Sequence, residues 1–195
     1  MSKNNIQEKI ADVYINMLME DVDDLSLKNI SKKSKIKYEE AVIYFPYDNN
    51  INTIKFMKIF FTNLDQRVLD NFFKEIKDEE ISLYEKILEG FILRFEELIK
   101  YEKAIKTLSN DLRKKALNFK VLFLDNHLFM YKLLKLSGDK DNFLKLTVKA
   151  ILLNSLFFKF LIKLIDSDVF DLDSFTRNID NDLKNLFDAK FLFNY

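Results

Sequence analysis

Apolar residues recur at three- and four-residue intervals along nearly the whole chain, which is the spacing of amphipathic helices. Ile6, Ile10, Val13, Tyr14, Met17 and Leu18 mark a first helix over 4–20, and the acidic stretch Glu20–Asp24 ends its pattern. Ser26 is a favourable N-cap for a second helix over 26–33, with Leu27 and Ile30 facing inward. Ser34–Ile36 read as a turn, and Lys37–Phe45 as a third, short helix stopped by Pro46. From Ile51 to Ile76 one long helix is expected, its stripe formed by Ile54, Met57, Phe61, Leu64, Val68 and Phe72.

Asp78 is the expected cap of a helix running to Tyr101, and 103–117 reads as a further helix or pair of helices, with Ser109, Asn110 and Asp111 as the interruption. The strongly apolar segment 119–136 ends at Gly138, a residue suited to the left-handed position beyond a helix end. A helix over 141–165 is broken by Asp166–Asp168. The last, over 172–192, aligns Leu172, Phe175, Ile179, Leu183 and Leu186. The pattern predicts about nine helices.

Composition removes the alternatives. Two glycines and one proline in 195 residues leave too few turn formers for a β-rich fold, so an all-α fold is expected. Lys and Arg balance Asp and Glu at 31 each, so no global field attracts nucleic acid. The absence of cysteine excludes disulfides and thiolate chemistry. The polar start MSKNNIQEKIADVY is unlike a signal peptide, and the run 151–165 is too short and too interrupted by Asn154, Lys159 and Lys163 to span a bilayer. A soluble, cytoplasmic protein is expected.

Catalytic and metal-binding patterns are missing from the sequence. The single histidine, His127, has no Glu three residues before it, as a di-iron bundle would need. Gly90 and Gly138 are isolated, so neither belongs to a phosphate-cradling loop. No catalytic residue, metal site or cofactor is expected.

The stretch SLKNISKKSKIKYEEAVIYFP (26–46) resembles the helix-turn-helix of TetR-family regulators, with Ser26, Leu27, Ile30, Ile36, Tyr44, Phe45 and Pro46 at scaffold positions. The resemblance implies a DNA-reading head over 1–47 and a ligand-binding, dimerising helical body over 48–195. In that reading Lys32, Lys33, Lys35, Lys37 and Tyr38 are the DNA-binding candidates. Three positions depart from the family pattern. Its turn glycine is Lys35 here, its small or hydroxylated residue near phosphate is Glu40, and its backbone-touching tyrosine is Val42. Glu39 adds another carboxylate, and residues 1–50 hold seven Lys against nine Asp or Glu. Carboxylates facing phosphates oppose binding.

A second resemblance covers the rest of the chain. SGDKDNFLKLTVKAILLNSLFFKFLIKLIDSD followed by SFTRNIDNDLKNL is similar to the Coq-nine proteins, lipid-binding accessory proteins of ubiquinone biosynthesis. Gly138, Asp139, Asn142, Phe143, Asp166, Asp168, Phe175 and Ile179 carry it, together with the Phe-Pro region and Asp65. This likeness implies a TetR-like fold whose head no longer reads DNA, and an isoprenoid or other apolar lipid as ligand. It also implies a quinone-biosynthesis hydroxylase as partner, docking at Gly138, Asp139, Asn142, Phe143 and Leu144. The family's Trp-Tyr pair is Phe143–Leu144 here.

Twenty phenylalanines allow either an apolar cavity or a packed aromatic core. Phe91, Phe95, Phe123 and Phe157 are the candidate wall, because helical spacing puts each on an inward stripe. The terminal FLFNY (191–195) is a candidate contact with a dimer partner or with the periphery of the inner membrane.

Overall fold

Cap chemistry fixes several helix boundaries in this protein. The computed structural model describes residues 3–46, 49–75, 81–113, 116–167 and 171–188, with backbone alone at 3–4, 49–51, 75, 110–113 and 116–125. Among the described residues there are nine helices and no strand, so the fold is all-α. They are α1 (Lys3–Met19), α2 (Leu27–Ser34), α3 (Tyr38–Tyr44), α4 (Asn49–Glu75), α5 (Leu83–Ile99), α6 (Glu102–Arg113), α7 (Ala116–Leu136), α8 (Phe143–Asp166) and α9 (Leu172–Phe187).

Ser26 caps α2 as expected, its side chain accepting from the Asn29 amide at 3.3 Å. Asn142 caps α8 in the same way through Lys145, at 3.0 Å. The cap of α5 lies elsewhere than expected. Ser82 accepts from the Glu85 amide at 3.2 Å, and the Glu85 carboxylate accepts from the Ser82 amide at 2.9 Å. This reciprocal pair satisfies two helix-end donors together. Asp78, the expected cap, falls outside the described residues, as do Ile76 and the 189–192 end of the last expected helix.

Helix α6 also corrects the sequence reading, because it continues through Ser109–Asp111 without a break. The Ser109 hydroxyl donates to the Lys106 carbonyl at 2.7 Å, so a residue type that competes with helix is satisfied inside one.

The chain forms two compact units: 1–66 with 101–119, and 67–100 with 120–195. In the first, α1, α2 and α3 pack together and α6 lies on α1. Phe45 is buried against Phe56, with ring centroids 4.5 Å apart, and its carbonyl accepts from Asn52 at 3.2 Å. The stripe of α4 buries Met57, Leu64, Val68 and Phe72 as expected and differs at two positions. Phe56 and Phe60 are buried, whereas Ile54 and Phe61 are half-exposed. Phe60 meets Tyr101 edge-on at 4.8 Å, and that contact decides which of two adjacent phenylalanines turns inward.

In the second unit α5 and α8 each pack on α9. Phe175, Ile179 and Leu183 form the buried stripe of α9, while Leu172 and Leu186 at its ends stay partly exposed. Gly90 lies against Leu133 so closely that a Cβ would sit 2.4 Å from the nearest leucine methyl. A larger residue at this position would force the buried Leu133 side chain of α7 to move.

Candidate functional site

The head turn is built as the spacing predicts, with one unusual residue. α2 ends in a Schellman motif, in which the Ile36 amide donates to the Ser31 carbonyl at 3.0 Å and the Lys35 amide to Lys32 at 3.2 Å. Lys35 therefore adopts φ 56°, the left-handed region that glycine occupies at lower cost. Replacing Lys35 by Gly is expected to raise stability by about 0.5–1 kcal/mol, with Lys35→Ala near neutral. Chemical denaturation measures this; destabilisation by Lys35→Gly would mean the lysine side chain holds the turn.

Lys32, Lys33, Lys35, Lys37 and Tyr38 are all exposed. Lys33 is bridged to Glu20 at 3.2 Å, so part of this basic patch is answered within the head. The outward face of α3 presents Glu39 and Ile43, the latter 73% exposed, while Glu40 and Val42 are half-buried. A carboxylate and an apolar side chain thus occupy the face that a reading helix would turn to a groove.

In the second unit, Phe91, Phe95 and Phe157 come together. Phe95 stacks on Phe157 at 4.7 Å, and Phe91 meets Phe157 edge-on at 6.2 Å. All three are buried, and Phe160 and Phe175 extend the cluster. The side chain of Phe123 lies outside the described residues, as does the 191–195 tail. Two clefts formed by described residues lie apart from these rings. One of about 450 Å³ is lined by Tyr84, Asp180, Lys184, Phe187 and Asp188. Another of about 290 Å³ runs between α1 and α4 beside Gln7 and Lys55.

A polar group unexpected from sequence passes through the aromatic cluster. The buried Arg94 guanidinium lies 4.0 Å from the Phe129 ring centroid and 4.3 Å from that of Phe157. It donates to Asn126, which donates in turn to Asn154. Arg94 follows Ile87, Gly90 and Phe91 on the buried stripe of α5. A cation at an inward position of an apolar stripe is the signal that marks it.

Lys149 follows the same rule on α8, on a stripe with Leu146, Ala150 and Leu153. Its ammonium is fully buried and lies 2.7 Å from both Asp139 and Asp141. The Lys149 hydrogen bond holds the Asp141 carboxyl below its ordinary range. Asp139 also accepts from the Asp141 amide at 2.9 Å. Gly138, at φ 90°, provides the left-handed residue of a second Schellman motif, with the Asp139 amide on the Leu134 carbonyl at 3.1 Å.

The five docking candidates therefore separate into roles. Gly138 and Asp139 build the turn, with Asp139 facing inward, and Asn142 caps α8. Phe143 and Leu144 alone present apolar surface, at 73% and 72% exposure. Tyr84 donates to the Asp180 carboxylate, joining α5 to α9; burial, then this carboxylate, pushes the phenol pKa upward.

No protein-family model matches the chain, and no curated protein matches its sequence. Among the described residues, no helix is long and apolar enough to cross a membrane, and no three His, Cys, Asp or Glu side chains converge to hold a metal ion.

Proposed function

We propose that this chain is a non-enzymatic, lipid-binding accessory protein of quinone biosynthesis whose helix-turn-helix head no longer grips DNA. The observation that carries the proposal is the outward face of α3, where Glu39 and Ile43 are exposed. Duplex affinity comes mainly from neutralised phosphates, and a carboxylate with an uncharged neighbour supplies none of it. The interior of the second unit is apolar and aromatic, and Phe91, Phe95 and Phe157, which pack on one another there, are the proposed wall that an apolar ligand would have to open. Homodimerisation, a hydroxylase partner and a cytoplasmic location at the inner-membrane periphery complete this reading.

A transcriptional regulator answering an apolar ligand is the second reading. It is favoured by the exposure of Lys32, Lys35, Lys37 and Tyr38 around the turn. Titration of duplex DNA separates the two. The accessory reading expects affinity no tighter than about 1 µM near physiological salt, with a shallow salt dependence. Tight, sequence-selective retention of DNA flanking its own gene would replace it with the regulator.

The lipid reading has its own test. A long-chain prenyl-quinone or fatty acid that binds only the folded state should stabilise it by about 2.7 kcal/mol at one hundred times its dissociation constant. Phe91→Trp is expected to fill the wall and abolish that shift while leaving the helical spectrum unchanged. If no such ligand moves the melting temperature of the unaltered protein, the proposal fails.

A further inference from the structure

The surface of α7 and α8 is charged in a way the whole chain is not. Residues 126–167 hold seven lysines and three aspartates, a net of +4, in a chain whose net charge is zero. Folding sharpens this asymmetry. The buried Lys149 draws Asp139 and Asp141 to itself, with Asp139 fully enclosed. What remains outward is Lys132, Lys135, Lys140, Lys145, Lys159 and Lys163 against a single exposed acid, Asp166. Lys159 also bridges Asp182 at 2.6 Å, and Lys145 stands 3.8 Å from Asp141.

The same segment exposes large apolar side chains. Phe143 and Leu144 open α8, and Val148, Ile151 and Ile162 continue along it. At 100° per residue, Leu144, Val148, Ile151 and Ile162 fall within about 60° of one another, with Lys145, Lys159 and Lys163 along one flank. Phe143 lies 6.1 Å from the Tyr131 ring, which ties this end of α8 to α7, whose outer face carries Lys132 and Lys135.

From this arrangement we infer that the α7–α8 face docks on an anionic phospholipid bilayer, with Phe143 and Leu144 entering the interface and the lysines meeting lipid phosphates. An apolar stripe edged by lysines is the chemistry of interfacial binding, in which apolar burial and attraction to anionic headgroups act together. A second copy laid face to face would set lysines against lysines, which the charge pattern opposes. Nucleic acid would answer the lysines and leave the apolar side chains without a counterpart. The inference deepens the membrane-periphery location proposed above, gives Phe143 and Leu144 to the bilayer in place of the hydroxylase, and does not depend on the interior lipid site.

The test is co-sedimentation of the full chain with vesicles at 0.1 M salt. One set is phosphatidylcholine alone, and the other contains one third phosphatidylglycerol. Binding to the anionic vesicles is expected to be at least tenfold tighter and to weaken at 0.5 M salt. Phe143→Ser with Leu144→Ser, and separately Lys140→Glu with Lys145→Glu, should each lower it at least tenfold. Both pairs replace exposed side chains, so the melting temperature should stay at that of the unaltered protein. Phe91→Trp should leave vesicle binding intact, which keeps this result apart from the interior lipid site. Equal binding to both vesicle types, insensitivity to both pairs of substitutions, or loss on Phe91→Trp would each overturn the inference. So would elution as a dimer that Ile151→Lys dissociates, since a second copy would then cover the face.

Discussion

Replacing Lys149 by Met is expected to cost about 3–5 kcal/mol, the usual penalty when one member of a buried ion pair is removed. The methionine fills most of the space but leaves Asp139 enclosed without its cation. Asp139→Asn in the same chain should recover much of that loss. An amide oxygen can still accept from the Asp141 amide, and the stranded charge is gone. Chemical denaturation of the two variants tests the pairing directly, and a double variant no better than the single one would refute it.

The same cluster sets a pH dependence. Lys149 lowers the folded-state pKa of Asp141, so this carboxylate contributes stability above its unfolded pKa. That contribution is lost as pH falls through the folded value. Lys149→Met removes it, so the stability curves of the variant and the unaltered protein should converge in acid. A gap that stays constant down to pH 2 would exclude the linkage.

Phe157→Ala is the second large effect, expected at about 3–5 kcal/mol. The ring stacks on Phe95, meets Phe91 and Phe158 edge-on, and lies under the Arg94 guanidinium. Truncation removes apolar transfer energy, leaves a void, and loses a cation–π contact of about 0.5–2 kcal/mol. The measured value also distinguishes a packed ring from a cavity wall. A ring with one open face has fewer neighbours to lose, so a cost near 2 kcal/mol would favour the wall. A cost below about 1 kcal/mol would contradict the packing seen around Phe157. Phe157→Leu should fall between the unaltered protein and the alanine variant.

Much of the helical layout is local, and such features can be read from sequence. Ser26 and Asn142 cap the helices they precede, Gly138 takes the left-handed place after α7, and scarcity of Gly and Pro leaves helix as the only fold class. Lys35 also meets its expectation, because the Ser31–Ile36 hydrogen bond requires a left-handed residue there, glycine or not. Each depends on a few neighbouring residues, so little information from the rest of the chain is needed.

The misreadings arise where two local solutions are nearly equal. Asp78 and Ser82 both suit the cap of α5, and only the reciprocal bond with Glu85 separates them. Phe60 and Phe61 are equally apolar, and contact with Tyr101 selects the inward one. Helical period defines a stripe but leaves unspecified which distant side chain will cover it.

The sequence by itself determined an all-helical chain, the turn at Lys35, and acids at the head of α3. Tertiary structure decided where charge is buried. A lysine or arginine within a helix ordinarily reads as solvated, because burial of an isolated cation is prohibitive. Lys149 is enclosed because the α7–α8 turn brings Asp139 and Asp141 to 2.7 Å from it, and Arg94 because Asn126 and two aromatic rings surround it. Those partners are 8 to 63 positions away in sequence, so only the folded chain supplies the neighbours that make each burial possible.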